Sequence, residues 1–186
     1  MCVVCYLSTD RVIPEIPFNE NAPAFNIERQ EERPSSAMTK KFVYYCGSRQ
    51  CCGCGFGNMG ITETVLQQTE KELSLGPLSE ETAWHWWNQK NSPPNDKERF
   101  VETAREIRES HQDTERLYHL IKETCRDGFS CELLVCWSGD EEQPVTQIVD
   151  VCLAQDSINI DFESVAIPEN MPQPVVLLYR FFSNIS

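Results

Sequence analysis

Positive charge is scarce in this sequence: 16 lysines and arginines stand against 29 aspartates and glutamates, a formal net charge of −13. Such a field repels phosphate backbones, and no basic stripe is present to offset it, which argues against nucleic-acid binding and makes a basic protein the complementary expected partner. Long apolar runs are missing too. No segment approaches the run of about 20 apolar residues needed to cross a bilayer as a helix. The first residues, Met1-Cys2-Val3-Val4-Cys5-Tyr6-Leu7-Ser8, carry no basic n-region and meet Asp10 and Arg11 at once, unlike a secretory signal. A cytoplasmic location is therefore expected. There are only three histidines, no double CxxC pattern, no Gly-Lys-Ser/Thr ending of a phosphate loop, no dinucleotide fingerprint and no internal repeat.

Cysteine, by contrast, is abundant, with ten in 186 residues. In a reducing compartment such a count does not imply a disulfide framework, and clustered thiols more often signal a metal or catalysis. The sharpest cluster is Cys52-Gly53-Cys54. Zinc binds thiolate at about 2.3 Å, so two ligands of one tetrahedral ion lie roughly 3.8 Å apart, and a glycine between two cysteines lets both turn toward one ion. That supplies two ligands. Others must come from Cys46 or Cys51 nearby, from Cys5 or Cys2 on the first strand, or from Cys136 in the C-terminal part. Zn²⁺, Cu(I) and an iron–sulfur cluster all suit such a thiolate set. Cys125, Cys131 and Cys152 lie in periodic apolar surroundings and are expected to be core residues.

Three other chemistries are weaker. Cys2, if Met1 is removed, would present an N-terminal nucleophile with its own amine as base, but no oxyanion site accompanies it. The glycine-rich stretch from Gly53 to Gly60, followed by a helix, could cradle an anion. A Cys–His pair would need His85, His111 or His119, each on an expected helix and each better explained by packing or exposure. Trp84, Trp86 and Trp87 offer either core rings or a partner-binding patch. Burial of Trp84 with one of the other two is the expectation.

The pattern predicts an α+β fold: a mostly antiparallel sheet from N- and C-terminal strands with a central helical segment, in one domain spanning 1–186. Strands are expected over Cys2–Ser8, Phe42–Cys46, Cys131–Trp137, Val145–Leu153, Ile158–Phe162 and Val175–Phe182. Residues 28–41 are polar and expected to form an exposed loop. Thr62 and Ser79 are candidate helix caps, and Asn95 with Glu98 resembles a capping box for a third helix. Unbroken from Asp96 to Arg126, that helix would run about 46 Å, longer than a domain of roughly 40 Å, so a bend or loop near Ser110 is expected.

Two segments, Tyr45-Cys46-Gly47-Ser48 leading into Cys52-Gly53-Cys54-Gly55-Phe56, and Cys136-Trp137-Ser138-Gly139-Asp140-Glu141, resemble a family of uncharacterised bacterial proteins. Cys5-Tyr6-Leu7-Ser8 and Pro14-Glu15-Ile16-Pro17 are similar to it as well. This chain departs from that pattern where a histidine is expected near Arg49 and a glycine near Cys51, which argues against a histidine ligand in that loop. The resemblance implies one domain and no particular activity. It also implies that Cys5, Cys52, Cys54 and Cys136 are the characteristic thiols, a number that matches a tetrahedral site. The functional expectation is a small thiolate or metal-binding domain, with zinc as the first candidate and Cu(I) or an iron–sulfur cluster as alternatives, and with a structural or regulatory site and no catalysis. The alternative is an acidic immunity or inhibitor protein that binds a basic partner, and a thiol-dependent enzyme stands third.

Overall fold

The computed structural model describes residues 2–57, 61–89, 92–154, 156, 158–160, 162 and 175–183. Apolar side chains run unbroken from Val3 to Leu7 in β1 (Val3–Thr9), and both of its faces are covered. Val3, Cys5 and Leu7 enter one core together with Leu133, Val135 and Phe181, while Val4 enters another with Leu134, Cys136, Val176 and Leu178. A strand buried on both sides belongs at the centre of a sheet.

The remaining strands are β2 (Asn26–Gln30), β3 (Phe42–Gly47), β4 (Ser130–Trp137), β5 (Gln147–Cys152) and β6 (Leu177–Phe182). They form a six-stranded sheet in the order β2-β3-β1-β4-β6-β5, antiparallel throughout except for the parallel β5–β6 pair. The fold is α+β, with N- and C-terminal strands sharing one sheet and three helices between them in sequence: α1 (Glu63–Leu75), α2 (Glu80–Asn88) and α3 (Lys97–Thr124). Contacts divide the chain into two compact units, Met1–Gly57 with Asp113–Ser186, and Asn58–Gln112. In the first, Leu117 and Ile121 of α3 join the core on the Cys5 face.

The second unit has its own core of Ile61, Leu66, Trp86, Phe100, Ala104 and Ile107. Thr62 caps α1 by accepting from Val65 N, and Ser79 caps α2 by accepting from Thr82 N. Both caps follow the sequence. At α3 the cap is Asp96, whose Oδ1 accepts from Arg99 N at 2.8 Å, one residue beyond the expected Asn95. Of the tryptophans only Trp86 is buried, its Nε1 donating to Thr69 Oγ1 at 2.9 Å, whereas Trp84 and Trp87 are 62% and 60% exposed. The expected burial of Trp84 fails because a nine-residue helix turns only one of three neighbouring positions to its core.

Other differences are local. The segment 28–41 is not all loop, since its start completes β2, an edge strand with polar side chains outward. Ile158 and Ile160 are buried, but residues 158–160 pair with no strand among the described residues, and Ile160 N donates instead to the Tyr118 hydroxyl at 3.3 Å; Asp161 of the expected strand lies outside the described residues. Helix α3 is helical over all 28 residues, including Ser110, so the expected loop there does not form: the buried stripe continues through that position without a break. Asn58, Met59 and Gly60, the end of the glycine-rich stretch, lie outside the described residues. No helix among the described residues is long and apolar enough to cross a membrane.

Candidate metal centre

After β3 the chain makes a turn organised by Ser48. Its backbone N and its Oγ both donate to Cys52 O, at 3.0 and 2.8 Å, while Cys51 N donates to Ser48 O at 3.0 Å and Gln50 N to Ser48 Oγ at 3.2 Å. Asn26 on β2 donates to Ser48 O at 3.1 Å. The turn brings Cys51 to a φ of 60°, in the region that glycine occupies without strain, which gives a physical reason for the glycine expected there. Arg49, where a histidine is expected, anchors the turn instead: its backbone N and Nε donate to the fully buried Asp113 at 2.8 and 3.0 Å, and its Nη2 at 3.1 Å.

Held this way, residues Gly53–Gly55 form a single 3₁₀ turn that lies directly on β1. A Cβ on Gly53 would stand 2.8 Å from Cys5 Sγ and 3.1 Å from Val3 O. One on Gly55 would stand 2.1 Å from Ser48 Oγ. Both approaches are too close for any side chain, so the glycines that flank Cys54 are set by packing. Gly57 N donates to Thr114 Oγ1 at 3.1 Å and closes the loop onto α3.

The consequence is a group of three sulfurs. The Sγ atoms of Cys2, Cys52 and Cys54 all lie within 4.8 Å of one another, with Cys52 buried and Cys2 and Cys54 exposed. Cys2 is brought in by the strand next door: its carbonyl accepts from Ser138 N at 2.8 Å, one residue past β4. Val3 N donates to Cys54 Sγ at 3.1 Å, which fixes the direction of that sulfur. Burial, followed by a hydrogen bond to Cys54, pushes the Cys52 thiol up to about 12, so a bound cation would have to displace its proton. Three soft donors at this spacing could hold a metal ion.

Cys52 and Cys54, the pair singled out by the sequence, therefore share one space. Cys5 lies under the turn, fully buried against Gly53 and outside the group of three. Cys136, opposite Val4 in the β1–β4 register, is buried on the other face of the sheet, also outside the group, and burial with the nearby Glu141 and Asp140 raises its thiol to about 12. Cys46 is buried in the core on the Cys5 face, and Cys51 is exposed on the turn. Cys2 was visible in the sequence as one of several possible third ligands. What it lacked was any local sign that the turn would fold back over the start of β1 rather than its middle. His85 and His119 are exposed on their helices, and His119 approaches Glu123 at 3.8 Å. No family model, curated protein or solved structure matches this chain.

Proposed function

We propose that this protein is a small thiolate metal-binding domain in which Cys2, Cys52 and Cys54 hold one Zn²⁺ ion in a structural or regulatory site. The observation that carries the reading is the mutual approach of the three sulfurs. It is supported by the hydrogen bond from Val3 N to Cys54 Sγ and by the polar contacts of Ser48 and Arg49 that fix the turn. A tetrahedral ion on three thiolates has a fourth position, and the exposure of Cys2 and Cys54 leaves it to water or an external ligand.

Zinc and cobalt titrations of reduced protein test this. One equivalent of Co²⁺ should give the intense near-ultraviolet thiolate charge-transfer band, and Zn²⁺ should displace it. A Cys52→Ser, Cys54→Ser variant should lose both signals, as should Cys2→Ser, whereas Cys51→Gly should keep them. Equal binding by parent and Cys2→Ser would sink the triad assignment. A second reading, an acidic protein that binds a basic partner, draws on the exposure of Trp84 and Trp87. Its mark would be salt-sensitive quenching of tryptophan fluorescence by polylysine, abolished in a Trp84→Ala, Trp87→Ala variant.

A further inference from the structure

Three sulfurs are all the metal-ligating atoms that gather at the triad: no fourth cysteine, histidine or carboxylate among the described residues joins Cys2, Cys52 and Cys54 within 4.8 Å. Cys5 is sealed beneath Gly53, and Cys51 is exposed on the turn outside the group. A tetrahedral ion here must therefore borrow its fourth ligand from solution. An ion whose bonding is complete with three sulfurs need not. Trivalent arsenic is of that kind: in water it is the neutral molecule As(OH)₃, pyramidal, with a lone pair where a fourth ligand would sit and a strong preference for sulfur over oxygen. Sulfurs within 4.8 Å of one another need to close by about 1 Å to reach the roughly 3.8 Å spacing of thiolates on one zinc ion, and As–S bonds are close to Zn–S bonds in length. Cys2 and Cys54 are exposed, so a small solute reaches the group from outside, and Cys52 closes it on the buried side. Val3 N fixes Cys54 Sγ, and Ser48 and Arg49 fix the turn, so little side-chain or loop freedom is left to be lost on binding.

We propose that the triad takes up trivalent arsenic, supplied as arsenous acid, with Cys2, Cys52 and Cys54 as its three ligands, the same sulfurs on which the zinc reading rests. Each sulfur in turn attacks arsenic, an As–S bond forms as an As–O bond breaks, and the thiol proton leaves with the departing hydroxide as water. Three thiols and one As(OH)₃ become one arsenic held by three cysteine sulfurs, and three waters. Neither arsenic nor sulfur changes oxidation state, so no oxidant or reductant is needed. The product carries no charge, whereas Zn²⁺ on three thiolates keeps one negative charge beside the buried Cys52, where a charge is costly to hold away from water. Arsenite therefore competes with Zn²⁺ for the triad. It spares Cys51, which is exposed on the same turn but stands outside the group.

The test uses the intact, reduced chain with sodium arsenite, read by native mass spectrometry, cobalt displacement and alkylation with iodoacetamide under native conditions. One equivalent of arsenite should add the mass of one arsenic less three hydrogens and expel bound Co²⁺ together with its charge-transfer band. Cys2 and Cys54 should become protected from alkylation while Cys51 stays reactive. In excess glutathione the parent should keep its arsenic, and Cys2→Ser, left with two of the three sulfurs, should lose it. An adduct that retains a hydroxyl on arsenic, equal retention by parent and Cys2→Ser, or protection of Cys51 would overturn the inference. So would a protein that binds Co²⁺ at the triad but ignores arsenite, an outcome that leaves the zinc reading standing. Failure with both ions removes the triad, and both readings with it. Mass and protection are read on the parent, so misfolding of a variant does not decide the answer.

Discussion

In the loop from Gly47 to Gly57 nearly every fixing contact ends on a backbone atom, whereas in the helical unit from Asn58 to Gln112 the shape comes from side chains: two hydroxyl caps and a buried tryptophan. The loop places one large apolar side chain, Phe56, in the core, and is otherwise held by Ser48, Arg49, Asn26 and Thr114 and by glycines that let it touch β1. The helical unit gains its stability from burying Trp86 among aliphatic and aromatic neighbours, and it leaves Trp84 and Trp87 in water. A segment that must place sulfur atoms to within a few tenths of an ångström is built from directional bonds. One that only has to be a helical layer can rely on hydrophobic burial, which has no direction.

If that contrast is right, the largest single loss should come from Trp86→Ala. The ring is fully buried and its Nε1 donates to Thr69 Oγ1, so a cavity results and Thr69 keeps only its own bond to Val65 O. A loss of about 3–5 kcal/mol is expected in urea unfolding followed by circular dichroism. Trp84→Ala and Trp87→Ala should each stay within about 0.5 kcal/mol of the parent. Comparable losses at all three positions would show that the exposed rings are covered in solution and erase the distinction.

The loop should break next most severely, at Arg49→Ala. Asp113 has no exposed side-chain surface, and loss of the guanidinium leaves its charge with the Arg49 backbone N and the more distant Arg116, 3.9 Å away. Truncating one partner of a buried pair costs about 3 kcal/mol or more. Cobalt binding should weaken in parallel, because the turn that presents Cys52 and Cys54 starts at this residue. Unchanged metal affinity in a destabilised Arg49→Ala protein would separate the anchor from the site.

Gly53→Ala sharpens the same point with one methyl group. The added carbon meets Cys5 Sγ and Val3 O, both in the centre of the sheet, and overpacking of this kind costs about 1–3 kcal/mol. Since the turn must lift from β1 to make room, Cys54 should lose the hydrogen bond from Val3 N and the triad its spacing. The cobalt charge-transfer band reports this directly. A Gly53→Ala protein with parental stability and a parental band would mean that the turn does not rest on β1.

Much of this architecture could be read from the sequence, for identifiable reasons. β1, β3, β4 and β6 carry dense β-branched and aromatic runs, and Thr62 and Ser79 are cap residues before periodic apolar stretches, so local pattern and final structure agree. β2 was hidden because an edge strand can be as polar as a loop. Ile158 and Ile160 misled because alternation reports burial, not pairing. At the candidate site the Cys52-Gly53-Cys54 spacing was legible, since its chemistry is local. The joining of Cys2 was not: it depends on Ser138, past the end of β4, holding the carbonyl of Cys2 while the turn folds over Val3. Asp113 was equally silent, an acidic residue within a charged helix whose burial is decided by Arg49, 64 positions away.

The smallest expected effect lies in the helical unit and depends on pH. Glu72 near the end of α1 accepts from Ser79 N at 2.8 Å, from Thr82 Oγ1 at 2.9 Å and from Gln68 Nε2 at 2.6 Å, so it ties the start of α2 to α1. The Ser79 backbone N–H beside it is the leading cause that holds its carboxyl down at about 2, against an ordinary value of 4.5. A carboxyl whose pKa is depressed by folding stabilises the folded state fully above its unfolded value. That contribution is lost as pH falls from about 4.5 toward 2, where the native carboxyl finally takes a proton. Because the group is largely solvated, screening keeps the effect under about 1 kcal/mol. Glu72→Gln should therefore be slightly less stable than the parent at pH 7, and the gap should close on acidification to pH 2. A gap that stays constant over this range would mean that the carboxylate charge contributes nothing to joining the two helices.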